Sequence, residues 1–348
     1  MGNTQPQNKT GRKVVEQKFE NAKKTGVLSL REHNLTKVPD RIYAELGPKL
    51  TTLDLSNNSI AHIDDNDNDN TSSKFATLKL LKSLNLDSNE LKAGALQGLT
   101  QTNLPKLKTL SVNNNSLGRV ETETKTKTSR RPAGGGGRKN QNSSSSNNKS
   151  NLSLKNQNHC EPLPDGLPKG LKTILLSNNH LSMVPKSIIG PSNMNTNTSL
   201  YQLTVLEKLD LSYNNLITIP TGISNLINLT EFNLDSNVLV SLPNEIGRLT
   251  KLKILSLRKN HISGNNTNTT TATATTIWNA TTNPQPLPQS LFTDTLLIDL
   301  NLHDNQNLTS TQLNSMDGYD TFLERRRRVK NKDLMGGALT DLDTCGLK

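Results

Sequence analysis

One unit, Leu-x-x-Leu-x-Leu-x-x-Asn-x-Leu, recurs along this chain and restricts its fold more than any other feature. The first full copy reads Leu50/Leu53/Leu55/Asn58/Ile60, and further full copies open at Leu81, Leu107, Leu171, Leu206, Leu229 and Leu252. Weaker copies flank them. Leu28/Leu30/Leu35 carries His33 at the Asn position, and Leu297/Leu300/Leu302/Asn305 has its last leucine displaced to Leu308. Alternating leucines make a short strand with one buried face, and the chain must then return along the other side within about twenty residues. No such unit buries its apolar face alone, so the copies must stack into coils around one shared interior.

The Asn has a structural task. A buried turn leaves inward-facing backbone donors and acceptors, and an amide side chain offers both complements. Val38-Pro39, Leu163-Pro164, Val184-Pro185, Ile219-Pro220 and Leu242-Pro243 mark the return limbs, since proline cannot donate to a ladder. The fold class expected is therefore α/β: a leucine-rich-repeat solenoid, curved like a horseshoe, with one parallel strand in each of about nine repeats. A helix around Ser310 to Glu324 is expected to cap its end through Leu313, Met316, Tyr319 and Phe322.

Units at Leu206, Leu229 and Leu252 are 23 residues apart, which sets the base pitch and exposes insertions elsewhere. The boundaries read as 1–21, a basic disordered or short helical N-terminus; 22–118, the first solenoid part; and 119–160, a disordered Gly/Ser/Asn-rich basic insert. Next come 161–262, the second solenoid part; 263–286, an Asn/Thr-rich insert; 287–324, the last repeat and capping helix; and 325–348, a basic then flexible tail. A short acidic insert, Asp64 to Ser73, also follows an Asn position. Leu152-Ser-Leu154 is a candidate degenerate tenth strand, although its Asn-rich neighbours favour linker.

Net charge of +11 would suggest nucleic acid, but its location argues otherwise. Residues 1–24, 118–159 and 324–332 hold 21 of the 41 basic residues and five of the 30 acids, so the remainder is mildly acidic. Two cysteines cannot build paired secretory caps, no apolar run spans a bilayer, and the N-terminus lacks a signal-peptide core. These features predict a cytoplasmic chain, free or peripheral at a membrane. Gly2 is a lipidation candidate, with Lys9, Arg12 and Lys13 as the second membrane signal, although Pro6 stands where Ser or Thr is preferred.

The strand residues that face solvent form the expected binding surface. Asp54, Asn85, Asp87, Asp210, Tyr213, Asn233, Asp235, Arg258 and Lys259 are the partner-binding candidates, with Tyr213 as an aromatic anchor between acids and bases. Cations on the columns read for that surface sit only near its ends, which disfavours a phosphate backbone. No catalytic, cofactor or metal constellation emerges. Asp65 to Asp69 lacks the glycine and glutamate of a calcium loop, His159-Cys160 has no second ligand pair, and Cys345 to Lys348 does not fit a prenyl box. Arg325 to Arg328, with Lys330 and Lys332, reads as solvated tail, or as a contact for acidic lipid or nucleic acid or a nuclear import signal.

The chain as a whole resembles the leucine-rich repeat-containing protein 57 family, within the broader Ras-group-like intracellular leucine-rich-repeat proteins. The resemblance rests on Met-Gly-Asn at the start, Lys24-Thr-Gly-Val27, Leu53-Asp-Leu-Ser-Asn-Asn58, Leu252-Lys-Ile-Leu255, Leu287-Pro-Gln-Ser290, and Gly318-Tyr-Asp320 followed by Glu324-Arg325. It departs from the family in its inserts and in the tail after Arg328. What it implies is a nine-repeat cytoplasmic solenoid, lipid-anchored or free, with no established biochemical activity. From the exposed strand face itself, the function expected is a non-enzymatic scaffold or adaptor that binds a protein partner in intracellular signalling. The alternative reading is nucleic-acid or acidic-lipid binding through the basic tails and insert.

Overall fold

The structure, a computed structural model, describes residues 9–63, 73–119, 161–190, 203–263, 285–332 and 345–347. Gly2, Leu152 to Leu154, the Asp65 to Asp69 stretch and most of the basic and Asn/Thr-rich inserts lie outside the described residues.

Nine strands of three residues each pair in chain order as one parallel sheet. They are β1 (Val27–Ser29), β2 (Thr52–Asp54), β3 (Ser83–Asn85), β4 (Thr109–Ser111), β5 (Thr173–Leu175), β6 (Lys208–Asp210), β7 (Glu231–Asn233), β8 (Ile254–Ser256) and β9 (Asp299–Asn301). Their register aligns the central apolar residue of each, from Leu28 and Leu53 through Phe232 and Leu255 to Leu300. A one-residue slip would turn those side chains into solvent, so the leucine spacing fixes the pairing. β4 pairs directly with β5, so no further strand sits between them.

The interior is one continuous apolar cluster running from Phe19 to Leu347. The asparagines lace it. Asn214 Oδ1 accepts from Asn179 N and Leu181 N of the preceding coil, while its Nδ2 donates to Leu176 O and Leu211 O at 2.9 Å each. Asn58, Asn89, Asn115, Asn237, Asn260 and Asn305 likewise accept from one coil and donate to carbonyls of two. Asn179 is the exception. It donates to Val112 O, but its buried Oδ1 has no partner among the described residues, at the coil boundary where the basic insert departs.

Return limbs are short helical turns at Ile42–Leu46, Lys74–Thr77, Thr221–Asn225 and Asn244–Arg248, with α-helical turns of the same length at α2 (Lys186–Ile189) and α3 (Gln289–Thr293). Prolines precede several of them, and their missing N–H costs nothing at a helix start. The interval from Ile174 to Leu209 is 35 residues, so the chain carries a further insertion there over the 23-residue pitch, legible in the step from Leu171 to Leu206.

Both ends are covered. Helix α1 (Lys9–Thr25) buries Phe19 and Ala22 over the first coil and extends past the boundary drawn at residue 21. At the other end stand two helices where one was expected, α4 (Ser310–Asn314) and α5 (Tyr319–Lys332). Gly318, at φ +82°, breaks them apart, and a Cβ there would lie 2.9 Å from Thr293 Cγ2. Leu313, Met316, Tyr319 and Phe322 are all buried.

The arginine run is solvated only in its second half, where Arg327 and Arg328 are exposed. It continues α5, where Arg326 is only 2% exposed and Arg325 donates to Leu297 O and Phe292 O at 2.9 Å. The reason is helical spacing: Tyr319, Phe322 and Arg326 share a face, so the burial of the first two carries the third inward. Nor is the whole C-terminal segment free. Cys345 O accepts from Leu302 N at 2.8 Å, the same position that Asn301 O takes against Leu257 N one coil earlier.

Candidate interaction surface

Residues 52 and 54 of β2, and their counterparts on every coil, share the sheet face turned away from the leucine interior, because side chains alternate along a strand. The structure places the candidates on this face but gives them different work. Asp54 Oδ1 accepts from Ser56 N at 3.0 Å and from Ser56 Oγ, and Asp210 Oδ1 does the same for Ser212. Asn85 and Asn233 accept from Asp87 N and Asp235 N two residues on. Asp87 and Asp235 reach across to the next coil, accepting from Asn113 N at 2.7 Å and Arg258 N at 2.8 Å. Six of the nine candidates therefore satisfy backbone N–H groups where the chain leaves the strand, which is a bracing task.

Tyr213, Arg258 and Lys259 remain. Tyr213 is 59% exposed and holds φ at +54°. It belongs to a column that is left-handed on every coil, from Glu32 (+61°) through Asn114 (+55°) and Lys259 (+51°) to Asp304 (+62°). The turn into the buried Asn imposes this conformation, which costs a bulky side chain on the order of 1 kcal/mol. Asparagine holds the position at Asn57, Asn114 and Asn178 at less strain. Tyr213 and Lys259 lie two strands apart in that column, roughly 10 Å. Arg258 stands beside Lys259, and its buried Nε has no partner among the described residues.

Sequence reasoning missed another column, the first residue of each strand. It runs through Val27, Thr52, Lys208, Glu231 and Ile254, with Lys208 Nζ 2.7 Å from Glu231 Oε2 and with Val27 and Ile254 exposed. The period of two along a strand was the signal for it. Immediately before that column come Lys82, Lys108 and Lys172, all exposed. Cations are thus not confined to the ends of the face. The apparent confinement came from reading only the columns after the central leucine.

Among the described residues, no group of three His, Cys, Asp or Glu could hold a metal ion, and no helix is long and apolar enough to cross a membrane. Burial pushes the Cys345 thiol up from its ordinary value, against hydrogen bonding by Tyr319, which leaves it a poor nucleophile.

Family models described as leucine rich repeat match residues 204–262 and 49–70, on the coils that carry β6 to β8 and β2. This chain is a leucine-rich-repeat solenoid. Bovine lumican is 29% identical to it over 263 residues, covering 62% of this chain and 74% of lumican. Bovine fibromodulin is 37% identical over 86 residues, covering 21% of this chain and 23% of fibromodulin. Neither matching family model describes a catalytic domain. Leucine-rich-repeat domains generally bind protein partners.

Proposed function

We propose that this solenoid is a non-enzymatic scaffold or adaptor that captures a protein partner on its exposed sheet face, in intracellular signalling. The observation that carries the reading is Tyr213: a large aromatic kept exposed in a backbone conformation that disfavours it, with Arg258 and Lys259 two coils away. Strain retained without a packing return is the pattern of a functional position, and aromatic and arginine side chains are the usual anchors of protein interfaces. The braced carboxylates hold the surface rigid, so little ordering entropy is lost on binding.

The resemblance to the leucine-rich repeat-containing protein 57 family supports a cytoplasmic setting, and acylation at Gly2 beside the basic start of α1 would bring the scaffold to a membrane. The test is affinity capture followed by mass spectrometry, comparing the intact chain with Tyr213→Ala combined with Arg258→Glu. Loss of one or more partners at an unchanged unfolding midpoint supports the reading. An identical partner set would refute it.

A further inference from the structure

A second surface lies along the edge where each return limb turns into its strand. Its corners follow one another coil by coil, because Lys108 N bonds Lys82 O and Lys172 N bonds Lys108 O, both at 2.8 Å. On the coils of β2 to β5 these corners present Lys49, Lys79, Lys106 and Lys169, all exposed. On the coils of β6, β7 and β9 the same corners present Val205, Ile227 and Leu296, 38%, 50% and 49% exposed. Across the corner segments 47–51, 78–82, 104–108, 168–172, 203–207, 226–230, 249–253 and 294–298 there are nine lysines and two acids. One of those acids, Glu207, is already paired with Lys172 at 2.5 Å. The edge is therefore strongly cationic and carries apolar side chains that no segment of the described chain covers.

We propose that this edge docks on an anionic phospholipid surface. Adjacent coils repeat at about 4.8 Å, so the lysines form a close row of point charges on flexible stems, suited to a diffuse field of headgroups. The corner segments hold no arginine that could grip a phosphate with two parallel bonds, and no aromatic on which a base could stack. What they hold instead is aliphatic side chain beside the charge, which enters the boundary between headgroups and acyl chains. A nucleic-acid backbone would use the lysines and leave Ile227 and Leu296 idle; a membrane uses both. The edge borders the partner-binding face, sharing Lys82, Lys108 and Lys172 with its margin, and needs no acyl group.

The test uses the full chain carrying Gly2→Ala, floated with phosphatidylcholine vesicles with and without phosphatidylserine, over a salt series. The expected result is partition onto the serine-containing vesicles alone, falling as salt rises. Lys106→Gln with Lys108→Gln and Lys169→Gln should lower that partition on the order of 100-fold, and Ile227→Asn should lower it several-fold, with thermal midpoints unchanged. Partition that persists at high salt on the chain with its lysines intact overturns the proposal whether or not the variants fold. So does wild-type partition by the lysine variant, or tighter retention on homopolymeric RNA or polyglutamate with no effect of Ile227→Asn.

Discussion

At Asn214 five backbone groups from two adjacent coils converge on one amide, which makes this residue type the costliest in the turn to lose. Replacing it by Ala strands Asn179 N, Leu181 N and Leu176 O inside the molecule, while Leu211 O keeps its bond from Asn237 Nδ2. Because buried groups without partners are expensive, Asn214→Ala should lower the unfolding free energy by about 3 kcal/mol in urea titration. Asn179→Ala should cost clearly less, since its Oδ1 has no donor among the described residues; equal losses at the two sites would show that the amides act by filling space. Tyr213 supplies the opposite sign. Tyr213→Asn relieves left-handed strain and should raise stability by about 0.5–1 kcal/mol while weakening partner capture. A stabilised variant that still captures the same partners would remove Tyr213 from the interface. None of this strain is visible in the sequence, where Tyr213 is merely an x position; the left-handed turn is a backbone consequence of burying the following Asn.

Helix α1 shows how an element is fastened by charge as well as by Phe19. Arg41 bonds Glu16 of the helix and Glu45 of the turn at Ile42–Leu46, Lys23 of the helix also reaches Glu45, and the Arg41 guanidinium lies 4.4 Å over the Phe19 ring. These bonds hold the Glu45 carboxyl down from its ordinary 4.5 to about 2, with Arg41 as the larger cause, and lower Glu16 as well. A carboxylate whose pKa is depressed on folding contributes stability above its unfolded pKa and loses it as pH falls toward the folded value. Acidification from pH 4.5 to about 2 should therefore loosen α1 first, read as faster amide exchange in the helix than in the sheet, and Arg41→Met should flatten that dependence. The strands were legible because their leucine spacing is itself the geometry of one buried face. Helix α5 was not, because an Arg run suggests solvent until Tyr319 and Phe322 place Arg326 on their own buried face.

For the molecule as a whole, arithmetic on the repeat separates the solenoid from what is inserted into it. Leu110 and Ile174, paired neighbours in the sheet, are 64 residues apart against a pitch of 23. The excess matches the length of Val120–Cys160, which lies outside the described residues. Backbone bonds close the seam without it: Val112 N to Leu175 O and Asn114 N to Ser177 O at 2.9 Å, and Gly118 N to Asn179 O at the same distance. Gly118 is required there, since a Cβ would lie 2.3 Å from His180 O. Stability in stacked repeats is a sum of coil and neighbour terms, and at this seam the coils' own backbone bonds supply the neighbour term. Joining Arg119 directly to Glu161 should thus preserve the sheet, restore the pitch, and leave the unfolding free energy equal or higher by about 1 kcal/mol, because a long loop no longer has to be closed. A deletion variant that unfolds in two separate transitions, or that loses more than about 2 kcal/mol in urea, would mean that the coils on either side of β4 and β5 depend on the insert for their contact.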